Sequence, residues 1–201
     1  MPIEKLISGF KSFRADYFEK QPEVYQDLVE NGQHPDVMVI ACADSRVNPS
    51  LITQAGPGEL FVIRNVANLV PPSDAGDQLH GMGAAIEFGV KDLKVKTILV
   101  LGHSHCGGIK WMSAGHKSPE NREYIDSWVA TALPARPDDV TEESLRRAEK
   151  NAVTISLENL LTYPWVKDAV EAGELELVGW LFDLESGQLV GFNGEGWETV
   201  G

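Results

Sequence analysis

The chain has 201 residues, enough for one sizeable core, and its 43% hydrophobic and 23% charged content is that of an ordinary globular protein. A formal net charge of −13 offers no positive footprint for nucleic acid or an anionic membrane; it serves solubility instead. No apolar run is long enough to cross a bilayer and no basic-then-apolar leader is visible, so the two cysteines are expected in a reducing cytoplasm, as ligands or catalysts rather than as a bridge.

Residues 3 to 31 read as two helices, with Leu6, Ile7, Phe10, Phe13, Tyr17 and Phe18 at roughly helical spacing, Pro22 opening the second and Gly32 following it. Residues 1–32 are thus expected to form a helical arm whose aromatic surface needs covering, by its own domain or by a partner. Val37 to Ala41 is an unbroken apolar run of the kind found in sheets covered on both faces. Residues 43–50 leave it as a loop, Gly56-Pro57-Gly58 forces a turn, and Leu60 to Ile63 makes a second strand. Residues 79–92 read as a helix, with glycines at 81, 83 and 89 that suggest close backbone approach. A third strand spans Val95 to Leu101, and Gly107-Gly108 opens another helix. Thr141 is a cap followed by Glu142 and Glu143 for a helix running to Leu160, which Pro164 ends or succeeds with a shorter one. Leu175 to Phe182 and Gln188 to Asn193, joined by Glu185-Ser186-Gly187, read as an antiparallel pair. Strands alternating with helices give an α/β fold: a central, mainly parallel sheet flanked by helices, with an N-terminal helical arm and a C-terminal antiparallel hairpin. No repeat or linker interrupts it, so residues 1–201 are expected to form a single domain.

Both cysteines stand at strand ends. Cys42 closes the first apolar run, and Gly102-His103-Ser104-His105-Cys106 follows the third. If those strands are parallel neighbours, Cys42, His103 and Cys106 converge at the carboxyl edge of the sheet, where open α/β folds place their sites. Two thiolates and an imidazole suit zinc rather than calcium or magnesium, and three protein ligands leave one position open, as in catalytic sites. A fourth protein ligand is available only from His34, His80, His105 or His116, and His105 is too near its neighbours to share their metal. Asp44 and Arg46, two and four residues beyond Cys42, can reach the open side. They are either a surface ion pair or a dyad in which Arg46 keeps Asp44 ionised and off the metal; a free Asp44 could bind as a fourth ligand and close the site. Cys42 to Arg46 is not a phosphate cradle, because only three residues separate thiol from arginine and no glycine run supplies amides. Gly81-Met82-Gly83 lacks the strand and third glycine of a dinucleotide fingerprint.

Cys42-Ala43-Asp44-Ser45-Arg46-Val47, residues 58–68 and Gly102 to Gly108 closely resemble the β-class carbonic anhydrases. Gly32-Gln33, Gly83 to Glu87 and Leu160 to Pro164 resemble its plant-type branch. The resemblance implies one Zn²⁺ per chain on Cys42, His103 and Cys106, the Asp44–Arg46 dyad, and reversible hydration of CO₂ to bicarbonate and a proton through zinc-bound hydroxide. It further implies that Gln33 hydrogen-bonds the substrate, that the Gly107 amide assists, that Phe61 and Val66 form an apolar wall, and that the chain forms a homodimer or a dimer of dimers. Two departures stand out. Phe88 occupies the place of a tyrosine, so its hydroxyl is lost. Where a bacterial branch holds allosteric bicarbonate with tryptophan, arginine and tyrosine, this chain has Val39, Arg64 and Phe182, and no bicarbonate switch is expected. The competing readings are hydrolysis of a CO₂ analogue such as carbonyl sulfide or carbon disulfide on the same scaffold, and a non-catalytic zinc-stabilised interaction protein, which would have no need of a poised carboxylate.

Overall fold

The computed structural model describes residues 2–74, 81–115 and 122–200. Its centre is a six-stranded sheet in the order β2-β1-β3-β4-β5-β6, formed by β1 (Val37–Cys42), β2 (Leu60–Asn65), β3 (Thr97–His103), β4 (Glu176–Phe182), β5 (Leu189–Phe192) and β6 (Trp197–Thr199). The first four are mutually parallel, and β5 and β6 return antiparallel. The expected C-terminal hairpin is therefore present but extended by β6, a three-residue edge strand too short to show a periodicity. The described helices are α1 (Ile3–Arg14), α2 (Pro22–Glu30), α3 (Pro49–Thr53), α4 (Gly81–Glu87), α5 (Gly107–Ser113), α6 (Glu123–Val129), α7 (Glu142–Leu160) and α8 (Pro164–Glu171), with π-helical turns at Ala15–Lys20 and Phe88–Asp92 and 3-10 turns at Val66–Asn68 and Ala130–Ala135. The expected helix over 79–92 is α4 continued by a π-helical turn, Phe88–Asp92; residues 79 and 80 lie outside the described residues.

The apolar run of β1 is buried on both faces, with Met38 and Ile40 in one cluster beside Ile98 and Val100, and Val39 and Ala41 in another beside Leu99 and Leu101. Pairing Ala41 with Leu101 brings the carboxyl ends of β1 and β3 side by side. The chain leaves β1 for β2 on one flank and returns past it to β3 on the other. Cys42 and His103 thus end the two strands at which the winding reverses, the crevice where such sheets bind ligands.

α7 lies against the end of β3, and it approaches so closely that a Cβ on Gly102 would come within 2.6 Å of Val153 Cγ2. A valine methyl on a β-branched side chain cannot swing away. Gly102→Ala is expected to cost about 1–3 kcal/mol by overpacking, read as a lowered midpoint in urea unfolding; an unchanged midpoint would mean that α7 can shift outward freely.

The N-terminal arm is uncovered within one chain. No residue of α1 or α2 is buried, and Phe10 is 61% exposed. Phe18 and Tyr25 stack on each other with centroids 4.7 Å apart, and Phe13 packs edge-on against both.

Candidate metal centre

Cys42 Sγ, an imidazole nitrogen of His103 and Cys106 Sγ all lie within 4.8 Å of one another, and all three residues are buried. His103 Nδ1 is 2.8 Å from the carbonyl of Ser104, which fixes that nitrogen as the N–H donor and turns the lone pair of Nε2 toward the thiols. Nε2 is buried with no hydrogen-bond partner among the described residues. A buried acceptor without a donor costs free energy unless a metal takes it, so the donor set and the orphaned nitrogen together fit zinc.

The ionisation of the three groups agrees with this. The Cys106 thiol donates to Cys42 and pulls the Cys42 pKa down, and the Ala67 N–H, 3.4 Å from the sulfur, adds to the effect. Cys106, holding the shared proton deep in the chain, is pushed well above the ordinary thiol value. Burial pushes His103 down, but the facing Cys42 thiolate more than offsets it, and the net shift is upward. Without metal the trio therefore holds a proton that a cation would displace.

Asp44 and Arg46 form a bidentate pair: Arg46 Nε donates to Oδ1 at 2.9 Å and Nη2 to Oδ2 at 2.8 Å, while the Arg46 backbone N–H also reaches Oδ1. These bonds hold the Asp44 carboxyl well below the usual carboxylate range. Arg46 Nη2 continues to the carbonyl of His105 at 3.2 Å, joining the β1 loop to the β3 loop. The loop is braced from β2 as well. Arg64 donates to the carbonyls of Cys42, Asp44 and Val47 at 3.0, 2.6 and 2.9 Å.

Val66 opens the 3-10 turn that follows β2 and presses on Gly108, where a Cβ would meet its Cγ1 at 2.8 Å; Gly107 is the exposed first residue of α5. These two stand beside Cys106. Phe61 does not. It pairs with Met38, four residues before Cys42, about 13 Å back along the strand at ~3.3 Å per residue. Phe88 packs against Phe61 at 6.0 Å, and exposed Gln33 lies between α2 and β1. Within one chain the structure thus brings together the three candidate ligands, the Asp44–Arg46 pair, Val66 and Gly107, and leaves Gln33, Phe61 and Phe88 elsewhere. Of the alternative histidines, His34 is exposed beside the Asn31 carbonyl and His105 faces Arg146 and Glu185; His80 and His116 lie outside the described residues.

Sequence reasoning missed Arg64 as a brace, and missed two residues of α7. Glu149, only 4% exposed, accepts the Cys106 N–H at 2.9 Å and pairs with Arg146 at 3.0 Å. A glutamate on the inner side of a helix otherwise lined by Ala148, Ala152 and Val153 was the available signal.

A family model described as carbonic anhydrase matches residues 37–189. Beta carbonic anhydrase 3 of Arabidopsis thaliana is 40% identical over 194 residues, covering 92% of this chain and 74% of that protein. A carbonic anhydrase of Synechococcus elongatus is 37% identical over 199 residues, covering 94% and 71%. Among solved structures, the β-carbonic anhydrase CcaA superposes with a TM-score of 0.89 at 34% identity over 98% of this chain and 91% of its own. A tetrameric β-carbonic anhydrase of Sordaria macrospora superposes at 0.82 with 27% identity, covering 95% and 96%. Architecture, donor set and likeness agree, and the chain belongs to the carbonic anhydrase family as a β-class carbonate dehydratase.

Proposed function

We propose that this chain binds one zinc ion on Cys42, His103 and Cys106 and hydrates CO₂ reversibly to bicarbonate and a proton. The observation that carries the reading is the orphaned, buried His103 Nε2 facing two thiols beside an ionised, clamped Asp44. Zinc held there supplies Lewis acidity that makes water nucleophilic near neutral pH. Asp44, kept anionic by Arg46, accepts a hydrogen bond from the reacting water and orients it toward CO₂. Arg46 prevents the carboxylate from swinging onto the metal. Val66 and Gly107 line the near side of the pocket. Gln33, Phe61 and Phe88 serve it only from a second copy, since Phe61 sits too far back along its own strand; the uncovered apolar face of the arm and the tetrameric relative support a homodimer or dimer of dimers. Phe88 contributes ring surface without a hydroxyl. The two free thiols support a reducing, cytoplasmic setting; no described helix is long and apolar enough to cross a membrane.

Stopped-flow hydration of CO₂ by zinc-loaded protein tests the reading. Activity that a chelator removes and zinc restores is expected; a zinc-loaded protein that turns over carbonyl sulfide or carbon disulfide but not CO₂ would replace it. Bicarbonate is expected to inhibit without cooperativity near neutral pH. Val39 is fully buried among hydrocarbons with Phe182 packed on the same cluster, and Arg64 is committed to three carbonyls, which supports the reading that these three residues hold no bicarbonate. Cooperative loss of activity with bicarbonate would contradict this.

A further inference from the structure

The peptide that joins His105 to Cys106 is held at both ends. Its carbonyl accepts from Arg46 Nη2 at 3.2 Å, and its N–H donates to Glu149 Oε1 at 2.9 Å. The two groups of a trans peptide point in opposite directions, so these bonds fix the plane between them; rotating it breaks both. His105 also carries a φ of +57°, in the left-handed region that few non-glycine residues adopt and in which histidine is one of the better tolerated.

Local structure does not satisfy this N–H. Cys106 is the N-cap of α5, and the N3 position, whose side chain would accept the N-cap N–H in a capping box, is Ile109, which has no acceptor. The acceptor comes instead from α7, 43 residues onward, as a buried carboxylate. Arg146 offsets its charge through Nη1 at 3.0 Å and reaches His105 Nε2 at 2.5 Å and Glu185 Oε2 at 3.5 Å through Nη2. A charged acceptor on the N–H polarises the peptide and strengthens the opposite carbonyl as an acceptor for Arg46.

We propose that Glu149, backed by Arg146, is a positioning residue for the dyad: it orients the His105–Cys106 peptide so that its carbonyl anchors Arg46 and its cysteine presents sulfur to the metal. Glu149 touches neither substrate nor zinc; it acts through Arg46 and Cys106. The assignment rests on the zinc hydratase reading above.

A double-mutant cycle tests it. Glu149→Ala is expected to lower kcat/KM for CO₂ at least tenfold in otherwise native, zinc-loaded protein, and to change it less than twofold in an Arg46→Ala background. It is also expected to speed zinc transfer to a chromogenic chelator at least threefold, a readout independent of turnover. Equal losses in both backgrounds would reduce Glu149 to a packing residue and overturn the proposal, as would an unchanged transfer rate. Should Glu149→Ala fail to fold, Glu149→Gln keeps the volume and removes the charge. A threefold or larger loss in kcat/KM, absent in the Arg46→Ala background, supports the proposal, and native values for both kcat/KM and zinc transfer overturn it. Native protein that binds zinc yet hydrates no CO₂ would instead refute the functional reading, and the chelator rates would then decide on their own whether Glu149 holds Cys106.

Discussion

Cys106→Ala is expected to abolish stoichiometric zinc retention and to lower CO₂ hydration by about a thousandfold. Zinc bound by a full set of protein ligands is worth roughly 10–16 kcal/mol, so one of three ligands accounts for about 4 kcal/mol, and each 1.4 kcal/mol is tenfold. Cys42 and His103 alone make a weak bidentate site. The fold should survive. Cys106 is one small buried side chain packed with Ile109 and Met112, and trimming its sulfur leaves a small void that costs about 1 kcal/mol. Metal analysis after dialysis, together with a thermal midpoint, checks both halves: full zinc occupancy and native activity in the variant would remove Cys106 from the ligand set. In native protein the same metal should show a proton linkage. Cys106 is raised well above the ordinary thiol value, so zinc must displace its proton, and affinity is expected to fall about tenfold for each unit that pH drops from 8. Below the raised His103 value a second proton competes and the slope steepens.

Arg46→Ala carries the second large effect: CO₂ hydration falling about a hundredfold or more while zinc stays bound. The guanidinium is half exposed, where solvent screens its charge, so the melting temperature should scarcely move. Its chemical role is larger than its energetic one. With Arg46 gone, Asp44 loses both side-chain donors at 2.9 and 2.8 Å, and its carboxylate would be free to bind a metal held by Cys42, His103 and Cys106. Removing one preorganised electrostatic partner from a reacting centre typically costs 10²–10³ in rate. A cobalt-substituted sample would report the extra carboxylate ligand in its visible spectrum. Arg46→Lys is not expected to rescue, since an ammonium cannot reproduce the planar fork. Native turnover in Arg46→Ala would identify the pair as an ordinary surface ion pair. The sign of the pH effect follows as well. Asp44 is depressed by Arg46, so whatever stability the pair gives is present above the unfolded carboxylate pKa and lost only as pH falls through the lower folded value. The acid limb of native activity therefore does not report Asp44.

The strands were legible because burial on both faces leaves its mark on every residue: Val37 to Cys42 and Ile98 to Leu101 are continuous apolar runs bounded by turn residues. The Cys42–His103–Cys106 cluster was legible because cysteine and histidine at strand ends are chemically distinctive, and the Asp44–Arg46 pair because both share a loop with Cys42. Of the glycines that suggested close approach, Gly89 makes one, against Met38, and Gly81 does not; that Gly102 is met by Val153 depends on how α7 lies across the sheet. The arm illustrates the opposite limit. Helical spacing gave its two helices correctly, yet periodicity says only that a face needs covering, and within one chain nothing buries Phe10.

By itself, then, the amino-acid sequence determined the elements, the alternation that makes a parallel sheet, and the candidate residues that the fold gathers into the Cys42–His103–Cys106 cluster and the Asp44–Arg46 pair, since each depends on residue type and on neighbours within a few positions. Only the tertiary structure decided the partners across long separations. The order β2-β1-β3 sets Cys42 beside His103 and leaves Phe61 level with Met38, four residues short of Cys42. The packing of α7 delivers Glu149 to the Cys106 N–H, and Arg64 reaches three carbonyls of another strand's loop. A hydrogen bond between a side chain and a distant backbone group follows from the relative placement of two elements, and no local pattern of residues encodes that placement.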